Sequence, residues 1–241
     1  LIQSINFKMK KQKLVVFSGA GISAERGLKT FRDNNGLWEN HSIYDVATPE
    51  AWAKNPKLVL EFYNERRNQL RKAKPNLAHQ LIAELENQFD VVIITQNIDD
   101  LHERAGSKKI IHLHGELLKG KSELFVEDTF YLSKSTIQIG DYCKRGHQIR
   151  PHVVWFGEEV PLMEKAIKEL LDAEVFIVIV TSLNVYPAAN LLGFTKTTCD
   201  CYVIDPSIPK NHEFINWTII NSKAVEGMKI LTKKLSKKRS Y

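Results

Sequence analysis

Three histidines and one polar run are the residues in this chain best suited to chemistry. His102, His112 and His114 each carry an imidazole, whose ordinary pKa of about 6.5 suits a general base at neutral pH. The polar run Gln96-Asn97-Ile98-Asp99-Asp100 directly follows an apolar segment, and open α/β sheets bind ligands where such strands end. The residues alone leave all three histidines open as the base, because a strand over 109–115 would place His112 and His114 on one face.

A glycine loop follows the first apolar run of the chain. Leu14-Val15-Val16-Phe17 indicates a buried strand, and Ser18-Gly19-Ala20-Gly21 comes directly after it. Glycines let the backbone turn sharply and approach a ligand, and a helix starting after the loop would favour an anion. The loop therefore predicts a phosphate site. However, position 24 is Ala where G-x-G-x-x-G has its third glycine, so a plain tight turn fits the loop alone equally well.

Apolar runs alternate with helical patterns along the whole chain. Beyond the first strand, we predict buried strands over 90–95, 109–115, 175–180 and 201–206. We predict helices over 49–55, 56–73, 76–89, 161–171 and 225–235. This alternation predicts an α/β fold with a doubly wound parallel sheet. Residues 119–149 interrupt the alternation and predict a small inserted subdomain.

Composition narrows the class of protein. A chain of 241 residues with 43% hydrophobic residues has the size of one domain with a sizeable core. No apolar run approaches the roughly 18 residues that a membrane span needs. The three cysteines, Cys143, Cys199 and Cys201, indicate a reducing compartment, so we expect a cytoplasmic protein. The net charge of +6 comes largely from basic ends, which we interpret as solvated rather than as a specific nucleic-acid site.

Five motifs, in order along the chain, resemble those of the sirtuins, the NAD-dependent protein deacylases. The resemblance runs from about residue 13 to the C-terminal helix and implies a Rossmann-like sheet. The motifs are Gly19-Ala20-Gly21-Ile22-Ser23-Ala24-Glu25 with Thr30-Phe31-Arg32; Thr95-Gln96-Asn97-Ile98-Asp99; His114-Gly115-Glu116-Leu117; Arg150-Pro151-His152-Val153-Val154-Trp155-Phe156-Gly157-Glu158; and Thr181-Ser182-Leu183-Asn184-Val185-Tyr186-Pro187-Ala188-Ala189.

The resemblance also implies a division of the chain. Residues 1–241 would form a single catalytic domain, with a large Rossmann-like part from about 8–35, 76–118 and 150–241. A helical insert would cover about 36–75 and a small insert about 119–149. In sirtuins the small insert usually holds zinc through two Cys-x-x-Cys pairs, which this chain lacks. Cys143 and His147 supply only two of the four ligands that structural zinc needs, so we expect no zinc.

Without zinc, the small insert needs another source of stability. We expect a small apolar core, and we expect His152 to be a packed, hydrogen-bonded core residue. The side chains proposed for this core are Phe125, Phe130, Tyr131, Leu132, Ile137, Ile139 and Tyr142.

The resemblance assigns roles to individual residues. His114 would be the base that activates a ribose hydroxyl, Asp99 would bind the nicotinamide carboxamide, and Asn97 would position the ribose. The backbone N–H groups of the glycine loop would hold the pyrophosphate. The full set implied to bind NAD is Gly19, Ala20, Gly21, Glu25, Phe31, Arg32, Trp38, Gln96, Asn97, Ile98, Asp99, Thr181, Ser182, Asp205 and Ala224.

The resemblance implies acyl-lysine proteins or peptides as partners. The products would be nicotinamide, free lysine and 2′-O-acyl-ADP-ribose. Tyr63 and Arg66 lie three apart, so they share a helix face, and together they suit a carboxylate. They match the Phe-Tyr-x-x-Arg-Arg of sirtuins that remove succinyl, malonyl or glutaryl groups, although a snorkelling surface arginine would look the same in sequence. The substrate-binding set is Ala24, Tyr63, Arg66, Val153, Phe156 and Gly157.

Two departures from the sirtuin pattern keep other functions open. Val180 stands where the family usually has Gly, and Asp205 stands where many relatives carry Asn. The alternatives are an NAD-dependent mono-ADP-ribosyltransferase and a non-catalytic module that binds NAD or acyl-lysine. We favour an active deacylase, which we expect to be a monomer.

Overall fold

The computed structural model describes residues 10–24, 37–38, 41–125, 127–208 and 213–238. The strands are β1 (Lys13–Ser18), β2 (Leu37–Trp38), β3 (His41–Ser42), β4 (Asp90–Thr95), β5 (Ile110–His112), β6 (Gly115–Ser122), β7 (Thr129–Tyr131), β8 (Ile149–Val153), β9 (Val175–Ile179), β10 (Asp200–Ile204) and β11 (Thr218–Ile220). The α-helices are α1 (Gly21–Ala24), α2 (Ile43–Val46), α3 (Pro49–Lys54), α4 (Pro56–Lys72), α5 (Leu77–Glu84), α6 (Leu101–Arg104), α7 (Met163–Leu171) and α8 (Ala224–Lys238). Short 3₁₀ helices cover Leu85–Asn87 and Ala188–Phe194. No helix within the described ranges is long and apolar enough to cross a membrane.

Six strands form one parallel sheet in the order β11-β10-β9-β1-β4-β5. Strand β1 is central, and Leu14 and Val16 pack on one face against α5 and α8. Val15 and Phe17 pack on the other face against α7. All four side chains are fully buried, which explains the uninterrupted apolar run in the sequence. The predicted α/β fold with a doubly wound parallel sheet is confirmed.

The strand predicted over 109–115 is wrong in its extent. Strand β5 ends at His112, a turn follows, and β6 starts at Gly115 in a different sheet. Gly115 has a φ of +84°, and a Cβ there would lie 2.2 Å from the carbonyl oxygen of His152. This close approach in the left-handed region demands glycine at the first residue of β6. His112 and His114 therefore do not share a strand face.

Strands β7, β6 and β8 form a separate antiparallel sheet. The predicted small insert begins at residue 119, inside strand β6, and ends at residue 149, the first residue of β8. The antiparallel sheet therefore contains residues from both inside and outside the predicted insert. The division of the chain into a Rossmann-like part and two inserts stays a prediction.

The apolar core expected within 119–149 is only partly present. Tyr131, Ile139 and Tyr142 are 74%, 56% and 63% exposed, whereas Ile137 is buried and Phe125, Phe130 and Leu132 are half-buried. His152 is also only half-buried, and its buried Nδ1 has no hydrogen-bond partner, contrary to the expectation of a satisfied core residue. The segment therefore needs anchors in addition to its own apolar side chains.

Helix α4 holds this segment through polar side chains. Asn64 exchanges two hydrogen bonds of 2.9 Å with the backbone N–H and carbonyl of Ile137. The fully buried Arg67 donates from Nε to the carbonyl of Ser135 at 3.2 Å and from Nη1 to that of Leu117 at 3.4 Å. These bonds satisfy backbone carbonyls that the segment does not pair internally.

We expect Arg67→Ala to lower the free energy of unfolding by about 3 kcal/mol, because it leaves buried carbonyls without donors. Arg71→Ala, one turn further along α4 and exposed, is the matched control and should change it by less than about 0.5 kcal/mol. Urea denaturation measures both. Equal effects of the two substitutions would show that the buried guanidinium does not anchor the segment.

Candidate active site

The candidate site lies where three neighbouring strands of the parallel sheet end. Ser18 at the end of β1 is in register with Thr95 of β4 on one side and Ile179 of β9 on the other. Strands β4 and β5 lie on one side of β1, and β9, β10 and β11 lie on the other. The strand order therefore reverses here, at a topological switch point where α/β folds bind ligands. A cavity of about 610 Å³ opens here, a volume typical of small-molecule sites.

The cavity brings together most of the predicted site residues. Gly19 does not line the cavity, and Glu25, Phe31 and Arg32 lie outside the described residues. Trp38 is in β2, and only its backbone is described. The predicted residues that line the cavity are Ala20, Gly21, Ala24, Tyr63, Arg66, Gln96, Asn97, Ile98, Asp99, His114, Val153, Phe156, Gly157, Thr181, Ser182, Asp205 and Ala224.

The glycine loop is packed more tightly than a phosphate loop needs. Gly19 N donates to the carbonyl of Ile179 at 3.1 Å, and Gly21 N donates to that of Val180 at 3.2 Å. The expectation that all three N–H groups of this loop point at a phosphate is therefore wrong for Gly19 and Gly21. Glycine is required there because a Cβ on Gly19 would lie 2.6 Å from the Cα of Thr181.

Val180 adopts a strained backbone at the centre of the site. Its φ is +43°, a genuine outlier for a β-branched residue and a cost of about 1–3 kcal/mol. Its N–H donates to the carbonyl of Ile204 at 2.8 Å, and its own carbonyl accepts from Gly21. These bonds tie the ends of β9 and β10 to the glycine loop and hold Val180 in this conformation. The departure from the family's glycine is thus accommodated by strain.

Asn97 and Asp99 are held by a serine that the sequence analysis did not single out. Ser23 Oγ donates to Asp99 Oδ2 at 3.0 Å, and Asn97 Nδ2 reaches Ser23 Oγ at 3.3 Å. Leu101 N donates to the other carboxylate oxygen of Asp99 at 3.1 Å. Burial raises the pKa of Asp99, although the bonds from Leu101 and Ser23 oppose that shift. The signal in the sequence was the place of Ser23 within the first motif, two residues after Gly21.

Hydrogen bonding separates the three candidate histidines. His102 is fully buried against Ser18, 3.1 Å from Nε2 to Oγ, and burial lowers its pKa well below the ordinary value. His112 has both ring nitrogens engaged, by the Asn97 carbonyl and by Glu103. Of the three, only His114 lines the cavity.

The protonation of His114 suits a base. Its Nδ1 lies 3.1 Å from the carbonyl of Gln96, which can only accept, so Nδ1 carries the proton. Burial lowers the pKa of His114, and the Gln96 bond only partly offsets that effect. Nε2 is therefore left as a basic lone pair near neutral pH.

Tyr63 and Arg66 also line the cavity, and each contacts an aromatic residue. Trp155 Nε1 donates to the Tyr63 hydroxyl at 3.1 Å, and Tyr63 is fully buried. Burial raises the pKa of Tyr63, so the hydroxyl keeps its proton. The Arg66 guanidinium lies 5.9 Å from the centre of the Phe62 ring, which limits its orientations.

The predicted peptide edge is only partly a strand. Strand β8 ends at Val153. Beyond it, Val154 N donates to the backbone carbonyl of His114 at 2.9 Å, and Phe156 N donates to the backbone carbonyl of Ala47 at 3.0 Å. The segment is therefore paired internally at alternate residues. Gly157, with a φ of +91°, turns the chain away after Phe156, which is 41% exposed beside the cavity.

The comparison with protein families decides the family. The model described as the Sir2 family matches residues 19–187, well over half of the chain. This chain belongs to the Sir2 family. A protein named NAD-dependent protein deacylase from Helicobacter pylori strain 26695 is 51% identical over 224 residues, covering 93% of this chain and 97% of that protein. A protein of the same name from Bacteroides thetaiotaomicron is 46% identical over 225 residues, covering 91% and 96%.

Solved Sir2 structures share the fold. A Sir2 homologue mutant in complex with ADP-ribose superposes with a TM-score of 0.85 at 38% identity, covering 95% of this chain and 94% of that one. A Sir2 homologue in complex with NAD gives a TM-score of 0.84 at 38% identity, covering 94% and 90%. The resemblance to sirtuins and the Rossmann-like fold are thereby confirmed.

The residues of this Sir2 chain do not fit the zinc that the family usually carries. Cys143 and His147 meet through their backbones, with Cys143 N donating to the His147 carbonyl at 2.8 Å, and the His147 ring packs on Phe125. Among the described residues, one group of three possible ligands lies within 4.8 Å, namely Glu103, His112 and Glu116. Both nitrogens of His112 are already engaged, so this group does not suit a metal either. Lack of zinc stays a prediction.

We expect Gly19→Ala to abolish nucleotide binding and to lower the free energy of unfolding by about 1–3 kcal/mol, because the added Cβ meets backbone atoms that cannot move aside. Gly193→Ala is the matched control, since a Cβ there meets nothing within 4 Å. Urea denaturation and calorimetric titration with ADP-ribose measure the two effects. Normal ADP-ribose binding by the Gly19 variant would contradict the tight packing of the loop.

Proposed function

We propose that this Sir2 chain is an NAD-dependent protein-lysine deacylase. The observation that carries the proposal is a single cavity lined by His114, the Asn97–Asp99 pair, Tyr63 and Arg66, with the proton of His114 on Nδ1. The curated relatives at about half identity, named NAD-dependent protein deacylase, support it. Acyl-lysine proteins or peptides would be the partners.

The lining of the cavity fits NAD by the chemistry of its groups. Ser182 and the Ala20 backbone border the space beside the glycine loop, where a pyrophosphate would lie. Asp205, buried at the end of β10, suits the hydroxyls of the adenosine ribose, and the small Ala224 leaves room for a flat base. NAD would supply a ribose carbon whose bond to nicotinamide can break.

His114 and the Asn97–Asp99 turn would perform the chemistry. The acyl oxygen of the substrate lysine would attack the ribose carbon as nicotinamide leaves. Nε2 of His114 would then accept a proton from a ribose hydroxyl as that oxygen attacks the acyl carbon, from which the lysine amine is afterwards released. Asp99, its carboxylate fixed by Ser23 and Leu101, would hold the leaving carboxamide. Asn97, fixed by Ser23 and by its bond to the Gly19 carbonyl at 3.2 Å, would orient the ribose.

We further propose that the enzyme accepts succinyl and malonyl groups in addition to acetyl. Tyr63 and Arg66 both border the cavity, and the Trp155 bond fixes the position of the Tyr63 hydroxyl. A guanidinium beside a phenol suits the free carboxylate of such acyl groups. Ala24 borders the same space and leaves it wide.

The remaining proposals concern where and how the protein works. Cys143, Cys199 and Cys201 are all free thiols, which supports a reducing compartment such as the cytoplasm. We propose that it acts as a monomer and without a specific nucleic-acid partner.

The acyl proposal is tested with NAD and a matched pair of acetyl-lysine and succinyl-lysine peptides, followed by mass spectrometry. We expect Arg66→Met to lower kcat/KM for the succinyl peptide roughly tenfold to a hundredfold, because a charged hydrogen bond worth about 1.5–3 kcal/mol is lost. The acetyl peptide should change little. His114→Ala should abolish loss of both groups.

Arg71→Met, on an exposed position of the same helix, is the control and should change neither rate. Equal losses for both peptides in the Arg66 variant would contradict the carboxylate pocket and leave the deacylase. Transfer of ADP-ribose to protein without deacylation would indicate the transferase alternative, and NAD binding with no turnover would indicate a binding module.

The pH profile tests the assignment of His114. Because burial lowers the pKa of His114, the neutral base persists below the ordinary value, and activity is lost as pH falls through the lowered pKa. We therefore expect the acid limb of kcat/KM, which reports the free enzyme, to have its midpoint below about 6.5. A midpoint above that value would contradict the buried, neutral base.

A further inference from the structure

The turn after β4 is held by three consecutive carbonyl groups. His114 Nδ1 lies 3.1 Å from the carbonyl oxygen of Gln96, and His112 Nδ1 lies 2.9 Å from that of Asn97. Leu117 N donates to the carbonyl of Ile98 at 2.8 Å. Each of the three carbonyls of segment 96–98 therefore accepts a hydrogen bond from segment 112–117, two from side chains and one from the backbone. The bond from His112 holds the backbone of Asn97, whose side chain would orient the ribose.

The partners of His112 require it to be charged. The Asn97 carbonyl can only accept, so Nδ1 carries a proton. Nε2 lies 2.7 Å from Glu103 Oε1, and a carboxylate likewise accepts. Both ring nitrogens must therefore be protonated for both contacts to be hydrogen bonds. Glu116 adds a second carboxylate, since the ligand atoms of Glu103, His112 and Glu116 lie within 4.8 Å of one another.

The groups around His112 favour its charge overall. Burial by itself would lower the pKa of His112, but the bond and charge of Glu103, the Asn97 carbonyl and Glu116 together raise it. The charge of His112 in turn opposes the rise in the pKa of Asp99 that burial causes. The titratable groups that interact with His112 are Asp99 on the turn after β4, His102 and Glu103 on α6, Glu116 on β6, and His152 on β8, and Lys119 pairs with Glu116.

We propose that the His112 imidazolium, held by Glu103, is a positioning residue that clamps the backbone of Asn97 and so aims Asn97 and Asp99 into the cavity. His112 does not line the cavity and would act only through these residues. Its relevance to turnover rests on the proposed deacylase function. The enzyme then needs two neighbouring histidines in opposite states, with His114 neutral and His112 protonated. Activity would fall as pH drops through the pKa of His114 and as pH rises through that of His112.

The first test needs no substrate. In the nucleotide-free protein, ¹⁵N signals of the His112 ring and the ¹³C signal of the Asn97 carbonyl are followed against pH. We expect one shared midpoint above about 6.5. Glu103→Gln should move both signals to a lower midpoint, since the carboxylate that retains the proton is gone. Glu103 is 39% exposed in its side chain, so this variant should fold, and the exposed Glu164→Gln is the matched control without effect.

The second test follows deacylation. His112→Asn places an amide nitrogen on Cγ, where His112 has Nδ1, so it should keep kcat within a few-fold and lose the alkaline limb assigned to His112. His112→Ala has no donor and should lower kcat roughly tenfold to a hundredfold, as misplacement of catalytic groups does. Glu103→Gln should shift the alkaline limb to lower pH and leave the acid limb of His114 in place.

The outcomes separate the two proposals. A wild-type His112 midpoint at or below 6.5, or an Asn97 carbonyl that does not follow the ring, overturns the clamp. An unchanged kcat and pH profile in His112→Ala does the same. If the wild-type protein deacylates no peptide, the proposed function fails, whereas the shared titration of His112 and Asn97 still decides whether the clamp exists.

Discussion

The site depends on hydrogen bonds between the turn after β4 and the segment 112–117. These bonds belong neither to strand pairing nor to apolar packing. Three consecutive carbonyls after β4, from Gln96 to Ile98, accept from His114, His112 and Leu117. Buried carbonyls without partners are costly, so these donors determine how the polar turn is folded. Gly115, at a positive φ, begins β6 beside His152 directly after the turn that follows β5. The Asn97 and Asp99 side chains are then fixed from the opposite side by Ser23.

The two histidines of this segment show how environment decides chemistry. His112 and His114 are two residues apart, and each has Nδ1 bonded to a backbone carbonyl. The two residues differ in what surrounds the ring. Nε2 of His112 contacts Glu103, whereas His114 lines the cavity. Opposite pKa shifts follow, upward for His112 and downward for His114. Divergent environments of this kind are how enzymes separate a charged group from a basic one.

The predictable parts of the fold are those with a strong local signal. Strand β1 is apolar on both faces, and Pro56 at the start of α4 and Asn76 before α5 mark the helix starts found in the structure. The antiparallel sheet of β6, β7 and β8 has no such signal, because its strands mix polar and apolar residues and β6 pairs with β8 across a long connection. The apolar core expected within 119–149 is incomplete, and Asn64 and Arg67 of α4 supply a further anchor through backbone groups.

The sequence by itself determined the family, the positions along the chain of the strands that carry the site, and most of the residues that line the cavity, because motifs at strand ends are local. The tertiary structure showed that, of His102, His112 and His114, His114 alone lines the cavity, since that depends on partners far along the chain. It also showed that the N–H groups of Gly19 and Gly21 bond to strand β9 and its following residue, and that Val180 is held at a positive φ. The protonation state and backbone strain of a residue are set by the groups around it in space, which its amino-acid type does not specify.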